Sequence, residues 1–176
     1  MENQPTNSRI ITGMFQDRES AERAYNTLHS RGYTTDDVNL MMSDDARKKH
    51  FTHAEAHTEL GNKALEGAGT GSAIGGTLGA IAGAVAAIGT SLLIPGIGIV
   101  IAGPLAAALA GAGAGGLTGG IVGALVGSGI PEERAVVYED GIKNGHIVMG
   151  VKPRNDDDAK YIADDWRTNQ GLEIHG

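Results

Sequence analysis

Between Gly67 and Ile130 the chain reads GAGTGSAIGGTLGAIAGAVAAIGTSLLIPGIGIVIAGPLAAALAGAGAGGLTGGIVGALVGSGI. These 64 residues, the charge-free segment, contain no Asp, Glu, Lys, Arg or His, and they hold 20 of the 28 glycines. All 14 basic and 21 acidic residues therefore lie in the two polar arms on either side. Because a helix of a soluble domain normally keeps one polar face, the segment predicts helices that are covered by other helices or by lipid.

Glycines recur every four residues in two rows of the charge-free segment. The first row is Gly71, Gly75, Gly79 and Gly83, and the second is Gly111, Gly115, Gly119, Gly123 and Gly127. At this spacing they share one side of a helix and form a groove that a second helix can approach closely. A helical glycine costs about 1 kcal/mol relative to alanine, so close packing has to offset the rows. They predict glycine-zipper helices through which the chain binds copies of itself.

Pro95 and Gly96 interrupt the segment and predict a turn between two helices, Gly71–Ile94 and Val100–Ser128. Each predicted helix is long enough to cross a bilayer. Two readings stay open: the hairpin is embedded in the inner membrane, or it is the core of a soluble homo-oligomer. In the first, the positive-inside rule places both arms in the cytoplasm, because basic residues flank the segment on both sides: Arg47, Lys48, Lys49, Lys63, Arg134 and Lys143.

The N-terminal arm, residues 1–43, predicts a strand, a helix and a strand. The first strand runs from Arg9 to Phe15, and Asp17 is a suitable cap for the helix after it. Apolar residues at helical spacing give this helix one buried face: Ala21, Ala24, Tyr25 and Leu28. Gly32 predicts the end of the helix, and a second alternating strand follows at Val38, Leu40 and Met42.

The C-terminal arm, residues 131–176, predicts a helix, a strand, a second helix and a short strand. Pro131 suits the first turn of a helix, and Ala135, Tyr138 and Ile142 would form the helix's buried face. A strand follows at Ile147, Met149 and Val151, and Leu172–Ile174 could be an edge strand. Between them, Asn155 predicts the cap of a helix that has one buried face: Ala159, Ile162, Ala163 and Trp166.

Neither arm is large enough to bury a sheet alone. Joined, they predict an α+β fold, a ferredoxin-like domain whose four-stranded antiparallel sheet carries its helices on one face. The order is β-α-β, insert, α-β-α-β. Residues 44–66 would form a polar connecting helix, and residues 67–130 would form the glycine-zipper helical hairpin that interrupts the domain.

Two stretches of the arms resemble the bacterial general stress proteins of the heat-induced or low-temperature-induced type. One reads GMFQDRESAERA from Gly13 to Ala24 and continues with Leu28 and Gly32-Tyr33. The other reads GIPEERA from Gly129 to Ala135 and continues with Tyr138-Glu139, Gly141 and Gly145. The resemblance covers nearly the whole chain and implies a role in stress tolerance. Its motifs are structural, so it carries over no catalytic residue.

Composition and motifs argue against several function classes. A formal net charge of −7 and 4% aromatic residues disfavour nucleic-acid binding, and the lack of cysteine excludes disulfides and thiolate metal sites. The acidic clusters are typical of turns and helix starts. We therefore expect no enzyme and no cofactor. Residues 1–9 lack the apolar core of a signal peptide, which agrees with a cytoplasmic protein.

Two weaker signals remain. His50, His53 and His57 share one face of a plausible helix, a spacing that suits a metal site, although a solvated helix face explains it more simply. A third reading of the function is a small-ligand sensor, since ferredoxin-like sheets often bind small molecules at dimer interfaces; this rests on fold analogy alone.

Overall fold

The structure is a computed structural model that describes residues 10–51, 92–94, 98–107, 120–127 and 129–176. These residues form an α+β fold with one antiparallel sheet of six strands. The strands are β1 Ile11–Phe15, β2 Val38–Ser43, β3 Leu92–Ile94, β4 Ile99–Ala102, β5 Ile147–Val151 and β6 Leu172–His175. The helices are α1 Arg18–Ser30, α2 Asp44–Phe51, α3 Gly120–Gly127, α4 Glu132–Lys143 and α5 Asp156–Thr168.

The two arms share one sheet, whose strand order is β3-β4-β2-β5-β1-β6. β5, from the C-terminal arm, lies between β1 and β2 of the N-terminal arm and pairs antiparallel with both. At the centre, Gly150 is the register partner of both Thr12 and Asn39. The central sheet is therefore complete only when β5, which follows the charge-free segment in the chain, has paired with β1 and β2.

α1 and α5 begin at the predicted capping residues, and α1 ends just before the predicted glycine. The Asp17 side chain accepts a hydrogen bond from the Ser20 N–H at 2.8 Å and begins α1. The Asn155 side chain does the same for the Asp158 N–H at 2.7 Å and begins α5. Gly32, with φ +80°, follows the last turn of α1, a conformation that glycine adopts without strain.

The first face of the sheet is covered by α1 and α5. Phe15 of β1 meets Trp166 of α5 edge to face, with the ring centroids 5.6 Å apart. The buried side chains that α1 contributes are the predicted ones, together with Glu22 and Ser20. This core therefore joins a helix from each arm, and neither arm completes it alone.

The second face is also covered, which corrects the prediction that the helices occupy one face. Met14, Met41 and Val148 point into a second buried cluster together with residues of α3 and α4. Ala135, Tyr138 and Ile142 are the buried residues of α4 there, as predicted from their spacing. Because the second face of the strands is as apolar as the first, it needs its own layer of helices.

The predicted helical hairpin is wrong at residues 92–94 and 100–102, which lie in β3 and β4. Leu92–Ile94 was expected to end the first long helix, and residues 100–102 to begin the second. β3 and β4 instead form an antiparallel pair, and β4 pairs with β2. A short apolar run fits a buried strand or a buried helix equally well, and Ile99, Val100 and Ile101 favour a strand through their branched Cβ atoms.

α2 lies within residues 44–66, the predicted polar connecting helix, and α3 lies within the second predicted helix of the hairpin. Residues 52–91 and 108–119 lie outside the described residues. In the part of the chain that is described, no helix has the length and hydropathy that crossing a bilayer requires.

Candidate interaction surface

Helix α3 belongs to the charge-free segment and carries the last two glycines of its second row, Gly123 and Gly127. Ile121 and Leu125 are fully buried and share the second-face cluster with Ile99 and Ile101 of β4. Leu125 also accepts a backbone hydrogen bond from Ile130 at 3.1 Å, where the chain turns toward α4. One side of α3 is thus fixed to the sheet, and its other side faces outward.

The outward side of α3 is smooth and apolar. Among the described residues, no atom lies within 4 Å of the position that a Cβ would occupy at Gly123 or Gly127. Val126 between them is 41% exposed. Gly123, Val126 and Gly127 are hereafter the α3 groove. The other glycines of the two predicted rows lie outside the described residues: Gly71, Gly75, Gly79, Gly83, Gly111, Gly115 and Gly119.

An ion pair fixes the place where the chain leaves the sheet domain. The Arg18 Nε donates to Glu22 Oε1 at 2.7 Å, and its Nη1 donates to the backbone carbonyl of His50 at 2.6 Å. Glu22 is only 2% exposed. Because a buried carboxylate is costly unless it is paired, this contact ties α1 to the C-terminal end of α2.

A second contact fixes the place where the chain returns. The Asn39 side-chain oxygen, buried between the second face and the chain after β4, accepts a hydrogen bond from the Leu105 N–H at 2.7 Å. Gly103 precedes this turn at φ +100°, and a Cβ there would lie 2.2 Å from the Val38 carbonyl oxygen. Glycine is therefore the residue that lets β4 pass so close to β2.

A third set of contacts joins the two arms on the outside of the first face. Asp158, at the start of α5, accepts hydrogen bonds from the Tyr33 hydroxyl at 2.8 Å and from the Arg31 guanidinium. These two partners, Tyr33 first, lower the pKa of the Asp158 carboxyl against the opposing effect of its burial. Arg154 completes the set by donating to the carbonyl of Gly32 and stacking on Tyr33, 4.2 Å from the ring centroid.

The histidine cluster is described at one position only. His50 lies in the last turn of α2, where burial, followed by the nearby Lys49 and Arg18 charges, lowers the pKa of its imidazole. A lower pKa favours the neutral ring that binds metals. His53 and His57 lie outside the described residues, and no three potential ligands come together within the described ranges. The metal site therefore stays an untested prediction.

The described residues contain a shallow cavity of about 320 Å³ at the junction of β1, β6 and the chain before α4. Ile10, Gly129, Ile130, His175 and Gly176 line it, so His175 supplies its one titratable side chain. A general acid or base has to lie within hydrogen-bonding reach of the reacting atom, and His175 is the side chain that this lining offers for such a role. Asp44, in one of the acidic clusters, instead pairs with Arg47 and Lys48.

Sequence reasoning missed the contacts that hold the two ends of the charge-free segment. No contact of Asn39 was predicted; it alternates with Val38 and Leu40 along β2 and is only 7% exposed. Arg18, next to the predicted cap Asp17, pairs with the buried Glu22 and donates to the backbone carbonyl of His50. Neither the Asn39–Leu105 contact nor the Arg18–His50 contact follows from a local pattern, because the two residues of each pair are 66 and 32 positions apart.

Comparison with known proteins adds no relative. No protein-family model, no curated protein and no solved structure matches this chain. The resemblance to bacterial general stress proteins therefore rests on the two motifs in the arms, and those motifs lie at a helix start in each arm. The geometry of the chain itself has to carry any inference about function.

Proposed function

We propose that this chain is a non-enzymatic stress-response protein that self-associates through glycine-zipper helices of its charge-free segment. The α3 groove is the observation that carries the proposal. Gly123 and Gly127 leave open space next to the exposed Val126, on a helix whose opposite side is already buried. The stress role rests on the family resemblance alone.

Leaving an apolar surface of this kind exposed to water costs free energy. Burying it against another apolar surface stabilises the assembly by about 25 cal/mol for each Å² of apolar area removed from water. Bare glycines let two helix backbones approach closely enough to gain dispersion contacts and weak Cα–H···O bonds. The charged residues, 14 basic and 21 acidic, all lie in the arms, where they keep an assembly hydrated and can limit its growth.

Membrane insertion of a two-helix hairpin is not part of the proposal. β3 and β4 occupy residues that both predicted helices would need, Leu92–Ile94 and residues 100–102. Residues that are paired as strands, β3 with β4 and β4 with β2, cannot also lie within a bilayer-spanning helix. The soluble homo-oligomer is the reading that these contacts favour.

We also propose that the arms form a ferredoxin-like unit to which the charge-free segment adds two strands. The strands of the arms are ordered β2-β5-β1-β6 and are all antiparallel. α1 and α5 contribute to the same core on the first face. Those relationships are the ones that a β-α-β-β-α-β arrangement requires; β3, β4, α3 and α4 would then be additions to it.

The test replaces the open glycines by a bulky residue. Because no described residue places an atom within 4 Å of a Cβ at either site, Gly123→Leu/Gly127→Leu should fold, and leucine also has the higher helix propensity. Val136→Leu is the matched control, since it adds bulk at an exposed position of α4 outside the groove and leaves the charge unchanged. The measurement is sedimentation velocity of the full chain without detergent.

The parent and Val136→Leu should sediment as the same oligomer, and the double glycine variant as a smaller species with an unchanged circular dichroism spectrum. A double variant that is folded and assembles like the parent would show that the α3 groove is not an interface. A parent that sediments as one chain at every concentration would overturn self-association itself.

A further inference from the structure

One edge of the sheet is open within the described structure and suits pairing with another strand. β3 is the last strand on its side of the sheet order. Its inner side pairs with β4 through Leu92↔Ile101, Leu93↔Val100 and Ile94↔Ile99. No strand of the described ranges pairs with its outer side. An uncharged, apolar edge strand is a template for a further strand, and proteins normally protect such edges.

The strand at the opposite edge of the same sheet, β6, is protected against pairing with a further strand. β6 pairs with β1 irregularly, with a shift in register between the Thr12 and Met14 positions. Glu173 in its middle has φ +51°, a left-handed conformation that bends a strand, and its carbonyl already accepts a hydrogen bond from Tyr138 at 2.6 Å. β3 carries neither a charge nor a proline.

The charges of the molecule indicate which partner β3 can accept. One chain has a formal net charge of −7, and none of its ionisable side chains lies between Gly67 and Ile130. Two copies that met through their arms would bring like charges together. Two copies that meet at β3 bring together strands without charge, next to β4, which also has none.

We propose that β3 pairs antiparallel with β3 of a second copy, so that one continuous sheet crosses a two-fold axis. Antiparallel pairing of a strand with itself is the natural form of a symmetric dimer contact. Full overlap of the three residues places Leu93 opposite the second copy's Leu93. The proposal rests on self-association, but it uses an interface different from the α3 groove.

The chain contains no cysteine, so a single introduced cysteine reports on this contact directly. Residues directly opposite in an antiparallel pair have Cβ atoms about 4.5–5.5 Å apart, close to the separation that a disulfide needs. Leu93→Cys in the full chain should therefore form a cross-linked dimer under mild oxidation, measured by non-reducing electrophoresis. Leu172→Cys is the matched control, because Leu172 lies on β6 at the other edge and is 38% exposed.

The register gives a second, independent readout. Leu92→Cys chains mixed with Ile94→Cys chains should cross-link to each other several-fold more than either cross-links alone, because position 92 would face position 94 of the second copy. Equal cross-linking of Leu93→Cys and Leu172→Cys would overturn the proposal, as would a mixture that cross-links no better than its separate components.

The same cysteine variants separate this contact from the α3 groove. In the Gly123→Leu/Gly127→Leu background, Leu93→Cys should still cross-link, since the strand pair does not use the groove. If cross-linking disappears in that background while the parent assembles, the groove is the interface and the β3 contact is wrong. If neither background gives dimers and the parent sediments as one chain, self-association fails together with the β3 contact.

Discussion

Asn39 of β2 caps the turn that follows β4, with its side-chain oxygen 2.7 Å from the Leu105 nitrogen. The two residues are 66 positions apart, and their hydrogen bond lies in the second-face layer of the domain. Asn39 also donates to the Gly150 carbonyl at 3.4 Å. One amide therefore links β2, β5 and the returning charge-free segment.

Asn39→Ala should destabilise the fold by about 1–3 kcal/mol, because it leaves the buried Leu105 N–H without its acceptor. The measurement is the free energy of unfolding in urea, together with hydrogen exchange of the Leu105 amide, which should become faster. Asn144→Ala is the control, since Asn144 makes an exposed contact with the Asp140 carbonyl and its loss should cost less than about 0.5 kcal/mol. Equal effects of the two substitutions would contradict the capping role.

Gly98 and Gly103 lie just before and just after β4. Alanine substitutions at these two sites distinguish the effect of backbone strain from that of steric clash. Both have positive φ, +66° and +100°, so alanine at either site carries about 1–2 kcal/mol of left-handed strain. Only at Gly103 would the added Cβ meet a backbone atom, the Val38 carbonyl oxygen at 2.2 Å. Gly103→Ala should therefore cost on the order of 3–4 kcal/mol, measured by denaturant unfolding. Similar losses at both sites would show that β4 does not pass β2 this closely.

The Asp158 contacts predict a dependence of stability on pH. Hydrogen bonds from Tyr33 and Arg31 lower the pKa of this carboxyl in the folded state. Its contribution to stability should therefore be complete above the ordinary pKa near 3.8, and it should be lost as the pH falls through the lower folded value. Asp158→Asn should be less stable than the parent at pH 7, and this difference should shrink below pH 3.8.

Asp157→Asn is the control for the charge near the helix start, because Asp157 lies in the same first turn of α5 and is exposed. Thermal unfolding midpoints of the three proteins between neutral and acid pH supply the measurement. A difference between parent and Asp158→Asn that persists unchanged into acid would contradict the ionic role of Asp158, as would an equal effect of Asp157→Asn.

The parts of the fold that could be predicted are those whose signals are local. α1 and α5 each carry a side-chain cap, Asp17 and Asn155, and an apolar face at helical spacing. Their start, type and buried face follow from about a dozen neighbouring residues. The prediction that the charge-free segment is helical holds at α3, Gly120–Gly127.

The parts that could not be predicted depend on partners distant in the chain. Whether Ile99–Ala102 is helix or strand is decided by an open edge of β2 that the sequence near β4 does not reveal. The second layer of helices escaped prediction for a similar reason: alternation along a strand does not say whether its second face meets water or another layer. The candidate surface was predicted as a glycine row, but its attachment to the sheet through Ile121 and Leu125 was not.

The most direct test of the account is the mass of the unmodified chain in detergent-free solution, measured by light scattering during size-exclusion chromatography over a wide range of concentrations. The two proposed interfaces, the α3 groove and the β3 edge, predict a discrete mass that is a multiple of one chain and persists on dilution. A mass of one chain throughout the range would contradict self-association, and with it the proposed role of the charge-free segment.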